Sequence, residues 1–184
     1  MARENKTRYA ILGMLARQSM SGYDIKKRIE QGLVEFWNES NGQIYPIMKQ
    51  LAAEGLATKI VEHHDGKPDR HVYTITDTGM EDLRSWLVKP AEPIRYRFEL
   101  LLKLVFGHEA PLDESIKHIQ RFREEHQSLI ERYSAIERNF LDEHEGWPQL
   151  PYWLASVRCG MRVSRAFLEW CDESEAALKA TNKH

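Results

Sequence analysis

The sequence predicts a mainly α fold with one small β-hairpin, built as two blocks. Three observations lead there. Apolar residues recur on a 3.6-residue period through most of the 184-residue chain. Only the region 57–76 switches to short strand-type runs, set around an Asp-Gly turn. Beyond Lys89-Pro90-Ala91-Glu92-Pro93 the strand pattern does not return, and two long periodic segments follow. Proline cannot continue a helix, so the boundary is placed there, giving blocks 1–90 and 91–184.

The composition, 42% hydrophobic and 29% charged, is that of an ordinary water-soluble protein. No apolar run reaches membrane-spanning length, and the densest, near Leu100–Phe106, contains Lys103. The N-terminus lacks a signal-peptide core. Cys159 and Cys171 are the only cysteines. Twelve residues of helix separate them by about 18 Å, which excludes a disulfide within one straight helix. These features point to a reducing cytoplasm. The first block carries a net charge of +1 and the second −3. A DNA-binding function therefore has to rest on a local basic face rather than on the total.

In chain order, Thr7 is positioned to cap a first helix carrying Tyr9, Ile11, Leu12, Met14 and Leu15. Gln18-Ser19-Met20 breaks it. Ser21-Gly22-Tyr23-Asp24 has capping-box spacing and opens a second helix with Ile25, Ile29, Leu33 and Trp37 on one stripe and Lys26, Lys27 and Arg28 beside it. A third helix follows. Ser40 and Asn41 suit its N-cap, and Gly42 allows close approach at its start. Pro46 pins that start to within a turn. Ile44, Ile47, Met48 and Leu51 form its apolar stripe, and Gly55 its C′ position. Gln43, Tyr45, Lys49 and Gln50 lie off the stripe, so the first turn presents amide, phenol and ammonium groups. Side chains of this kind read base edges.

Ala57–Glu62 and Arg70–Thr76 are the strand runs, joined by His63-His64-Asp65-Gly66-Lys67-Pro68-Asp69. Three helices followed by a two-stranded wing is the winged helix-turn-helix order. Lys67 and Arg70 sit near the wing tip, where they can reach DNA backbone. His63, His64 and His71 read as exposed loop and strand residues; metal spacing is lacking. Thr76 caps a fourth helix through Met80, Leu83, Trp86 and Leu87.

In the second block Phe98, Leu101, Leu102 and Val105 define an amphipathic helix ended by Gly107. Asp113 is the expected N-cap of a long helix whose Ile119, Phe122, Leu129, Tyr133, Ile136 and Phe140 run 3-4-3-4, with His126 in one slot. Glu145-Gly146-Trp147-Pro148 breaks it. The last helix repeats the pattern with Leu154, Val157, Met161, Leu168 and Cys171, and Ser164 in one slot. This antiparallel, coiled-coil-like pair offers more apolar surface than one hairpin is expected to bury, so the seam is expected to join a second chain.

The chain resembles the PadR-type transcriptional regulators. The matching residues are Tyr9-Ala10-Ile11-Leu12-Gly13-Met14-Leu15, Ser21-Gly22-Tyr23-Asp24-Ile25, Gln43-Ile44-Tyr45-Pro46 with Leu51 and Glu54-Gly55-Leu56, and Tyr73-Thr74-Ile75-Thr76 with Gly79. Phe98-Glu99-Leu100-Leu101-Leu102-Lys103 and the two long helices match the helical dimerisation domain of longer members more loosely. The resemblance implies a homodimeric repressor on a palindromic operator, responsive to a phenolic acid such as p-coumarate. Carried over by position, Ser21, Gly22, Tyr23 and Lys26 would meet DNA backbone. Asn41, Gln43, Tyr45 and Lys49 would face the groove, and Lys67 and Arg70 would serve the wing; Tyr45 is open to packing as well as reading. An effector pocket would draw on Trp37, Phe98, Trp153 and Arg158, each of which also has a packing role open to it. The dimer would use Ile119, Phe122, Leu129, Tyr133, Ile136, Leu154, Val157, Met161 and Leu168. A cofactor is not expected. The competing reading is a winged-helix protein-interaction module without DNA binding, favoured by the acidic balance. Catalysis is not expected, because glycine-rich phosphate loops, nucleophile elbows and metal-spaced clusters are missing.

Overall fold

In the computed structural model, residues 5–29, 43–62, 69–94 and 97–181 are described. The element order is α1 (Thr7–Leu15), β1 (Met20–Ser21), α2 (Gly22–Arg28), α3 (Ile44–Ala53), β2 (Ala57–Glu62), β3 (Arg70–Ile75), α4 (Asp77–Leu87), α5 (Glu99–Val105), a 3-10 turn Gly107–Glu109, α6 (Leu112–Glu143) and α7 (Leu150–Thr181). The chain divides into two compact units, 1–93 and 94–184. The mainly helical class with a small wing is the one expected.

The first unit has a single core. Ile11 and Leu12 of α1, Met20, Ile25 of α2, and Met48 and Leu51 of α3 are essentially sealed from solvent. Leu56, Tyr73 and Leu83 close it from the wing and α4. The apolar stripe on α3 is thus spent on the core, which leaves its polar face outward. Tyr9 stacks on Trp86 with ring centroids 4.6 Å apart. Arg8 ties three helices, pairing with Glu54 beyond α3 at 2.7 Å and with Asp82 of α4 at 3.4 Å. Ser21 and Thr76 cap α2 and α4 as their spacing predicts, and Thr76 also donates to Gly55 O at 2.7 Å.

Several local expectations are corrected. Lys6, not Thr7, is the N-cap of α1; Thr7 is the first helical residue, buried, with its N–H donating to Asn5 Oδ1 at 3.1 Å. Ser40, Asn41 and Gly42 lie outside the described residues; Gln43 flanks α3 without a side-chain cap. The wing is not two-stranded. Met20 and Ser21 form a third strand, pairing antiparallel with Tyr73 and Val72, so the order is β1-β3-β2. Pro111 caps α6, and Asp113 falls in its first turn, where a carboxylate still favours the helix dipole.

The second unit is built on the seam. Helices α6 and α7 pack antiparallel within one chain. Ile119, Tyr133, Leu154, Val157 and Met161 are buried, and Phe122, Leu129, Ile136 and Leu168 half-buried. Tyr133, Val157 and Met161 form the central cluster. Aromatic side chains from the flanking positions widen the contact within the hairpin: Phe122 packs on Phe167 and Trp170, and Phe140 on Trp153. The polar slots meet each other, with His126 Nδ1 3.1 Å from the buried Ser164 Oγ. At one end Arg123 bridges Asp172 and Glu175 at 3.0 and 2.7 Å. Beside it the buried Cys171 thiol donates to Ile119 O at 3.8 Å, while Cys159 is exposed.

Candidate nucleic-acid interface

The site is built on the first unit from α2, α3 and the wing. Burial of Ile44, Ile47, Met48 and Leu51 leaves Gln43, Tyr45, Pro46, Lys49 and Gln50 on the outer face of α3. Gln50 Nε2 donates to Glu54 Oε1 at 2.7 Å, so this amide is engaged within the helix. Gln43 and Lys49 are exposed. Tyr45 is 52% exposed, yet one edge of its ring lies on Gly22. A Cβ at position 22 would come within 2.8 Å of Tyr45 Cδ1. Glycine is needed there because the recognition-type helix and the N-terminus of α2 approach through this contact. Tyr45 thus packs and faces solvent at once.

At the start of α2, Ser21 and Asp24 form a reciprocal capping box. Asp24 N–H donates to Ser21 Oγ at 3.3 Å, and Ser21 N–H donates back to Asp24 Oδ2 at 2.9 Å. Arg70 Nη2 donates to the same Oδ2 at 2.6 Å, and Arg70 Nη1 lies 3.8 Å from Glu62 Oε2. Burial would raise the Asp24 carboxyl, but the hydrogen bonds from Ser21 and the Arg70 charge outweigh it and hold it below the usual carboxylate range. Tyr23 stands 67% exposed beside this box. Lys26 is half-buried and Lys27 exposed.

Asn41 and Lys67 of the expected set lie outside the described residues, as does Trp37. The rest of that set, Ser21, Gly22, Tyr23, Lys26, Gln43, Tyr45, Lys49 and Arg70, falls on α2, α3 and the wing of one unit. Two cations escaped the sequence reading. Lys59 is exposed on β2 opposite Tyr73. Burial and the neighbouring Arg28 charge lower Arg17, at the end of α1, from its ordinary value. Nothing local marks either: β2 is exposed along its length after Ala57, without alternation around Lys59, and the neighbour of Arg17 is eleven residues away.

The expected effector residues do not gather. Phe98 packs on Phe122 and Phe167, near one end of the α6–α7 hairpin. Trp153 packs on Phe140 and His144, near the other end. Eighteen helical residues between Phe122 and Phe140 put these clusters about 27 Å apart. Arg158 pairs with Glu137 at 2.6 Å on the outside of the hairpin. Among the described residues there is no cluster of metal-ligating side chains and no helix long and apolar enough to cross a membrane.

A helix-turn-helix with an attached wing, presenting polar and cationic groups from both helix faces, defines a DNA-binding transcriptional regulator. Residues 11–85 match the transcriptional regulator PadR-like family, and residues 96–179 match the virulence activator alpha C-terminal family. The N-terminal part of the chain is thus similar to the PadR-like family of transcriptional regulators. Over 100 residues, 54% of its length, it is 37% identical to the negative transcriptional regulator PadR of Bacillus subtilis; the match spans 55% of that protein. It is 26% identical to a probable transcriptional regulator of Mycobacterium tuberculosis over 93% of this chain and 96% of the relative. Its fold matches that of Bacillus subtilis PadR in complex with operator DNA, with a TM-score of 0.82 at 24% identity, covering 95% of this chain and 99% of the other. The same Bacillus protein in complex with p-coumaric acid gives a TM-score of 0.74 at 24% identity over 94% of each chain.

Proposed function

We propose that this regulator binds a palindromic operator as a homodimer and represses transcription. The observation that carries the reading is the outer face of α3. Its apolar stripe is buried, and Gln43, Tyr45 and Lys49 stand exposed next to the capped N-terminus of α2. Two such helices in a dimer would be spaced about one DNA turn, ~34–36 Å, to enter successive major grooves. Within the chain α6 and α7 bury part of their apolar seam against each other, and self-association has a further apolar surface open to it. Leu102, Val105 and Phe106, each 59–68% exposed on and beside α5, supply an apolar row for it. An aromatic acid as releasing effector is supported by the p-coumaric acid complex of the Bacillus relative. A second reading, activation, is favoured by the match of residues 96–179 to the virulence activator family.

Fluorescence anisotropy tests the reading. The protein is titrated onto the intergenic DNA beside its own gene and onto random duplex, at two salt concentrations, with and without p-coumarate. Tight, salt-sensitive binding to the intergenic fragment alone is the expected result, with release by p-coumarate fixing the effector class. Equal affinity for both duplexes, or none, would favour the interaction-module reading. Transcription in vitro from the same fragment then separates repression from activation.

A further inference from the structure

We infer that Arg70 is a positioning residue for the wing, latched onto the first turn of α2, and not a ligand of DNA phosphate. The inference rests on the DNA-binding reading above and refines one of its site residues.

The geometry follows from strand register. Ser21 pairs with Val72, so the first residues of β3 lie beside the start of α2. Arg70 lies two residues along on the same face as Val72, since side chains in a strand alternate. That puts its guanidinium beside the third residue of α2, Asp24. Glu62 is the direct cross-strand partner of Arg70. The guanidinium thus sits between two carboxylates, one on the helix at 2.6 Å and one on β2 at 3.8 Å. Asp24 Oδ2 in turn gathers Arg70 Nη2, Ser21 N–H and the Ser21 hydroxyl, which donates at 2.7 Å.

Two consequences separate this arrangement from a phosphate contact. A phosphate would have to draw the guanidinium away from two carboxylates already in place. And the same carboxylate that caps the start of α2 also fixes the base of the β2–β3 ladder. Arg70 acts on DNA through where it puts the wing.

The test is a cycle of Arg70→Gln, Asp24→Asn and the double variant, with Arg70→Lys as the conservative replacement. DNA affinity is measured across salt concentrations, and amide exchange of residues 59–62 and 70–72 is measured without DNA. We expect Arg70→Gln to weaken specific binding about five- to tenfold, the size of a coupling between groups in direct contact. The slope of log affinity against log salt should stay unchanged. The double variant should bind no worse than the weaker single one, exchange in the wing should quicken, and Arg70→Lys should restore part of the affinity. A slope lowered by about 0.9, the value of one released phosphate contact, overturns the inference, as do additive single effects. If the wild type shows no DNA affinity, the DNA reading fails separately; the latch then stands or falls on amide exchange, and wing exchange unchanged by Arg70→Gln overturns it.

Discussion

Lys49 and Asp24 sit within one small site and face opposite demands. Lys49 is exposed on α3 with no core role, so Lys49→Ala should leave folding intact. If it reads a base edge, the variant loses about 1–3 kcal/mol of specific affinity and little on random duplex; equal losses on both would refute base reading. Asp24 is a structural carboxylate. Its folded-state value is depressed, so its stabilisation is present above the unfolded value of about 3.9 and lost as pH falls through the folded value. Asp24→Asn should therefore cost about 1 kcal/mol at pH 7, the usual size of a cap. The gap from wild type should close as pH drops below about 4. Thermal melts at both pH values check this, and a gap independent of pH would contradict it. Tyr45 shows the limit of residue-level reading: its spacing said it left the apolar stripe, but only the fold shows that it leaves it to rest on Gly22.

For whole elements, the hairpin of α6 and α7 holds two polar insertions with different acid sensitivities. Burial lowers His126, so between the folded value and the unfolded one near 6.5 the unfolded chain binds more protons. The second unit should lose stability as pH falls below about 6.5, and His126→Leu should remove that phase. Glu175 is held down to about 2 by hydrogen bonds from Lys179, Arg123 and Gln120. Its contribution is complete above the unfolded value of about 4.3 and lost as pH falls through about 2. Glu175→Gln should flatten this lower phase alone. Circular dichroism melts across pH would reveal the two phases, and a single phase removed by neither variant would rule the assignment out. The helices themselves were legible, because a 3.6-residue period states that a helix has a buried side. The period is silent on what covers that side. A seam closed by a second chain and one closed by the next helix look alike in sequence. The strand β1 was illegible for another reason: two residues, Met20 and Ser21, carry no alternation, and their pairing with Tyr73 and Val72 spans some fifty residues.

The whole molecule follows a division of labour between buried and exposed apolar surface. Met161 lies in the hairpin core, and Met161→Ala should cost about 2–5 kcal/mol of stability without altering assembly state. Val105 stands exposed beside Phe106. A paired Val105→Glu, Phe106→Glu variant should keep its melting temperature and lose self-association. Sedimentation equilibrium distinguishes these, and a dimer that survives the charged pair would move the interface elsewhere. The wing and the helix-turn-helix face were readable in outline from the turn chemistry and the capping box. Helix lengths, which no single residue states, bring Phe98 and Trp153 to opposite ends of the hairpin.

The two thiols carry an experimental consequence of their own. Burial pushes the Cys171 thiol up from its ordinary value, and its hydrogen bond to Ile119 O locks it in the hairpin. Cys159 faces solvent about three turns earlier on the same helix. A maleimide should therefore mark native protein once, at Cys159. The second mark would appear only at the rate at which α7 parts from α6, so a mass spectrum followed over hours becomes a clock for the opening of the hairpin.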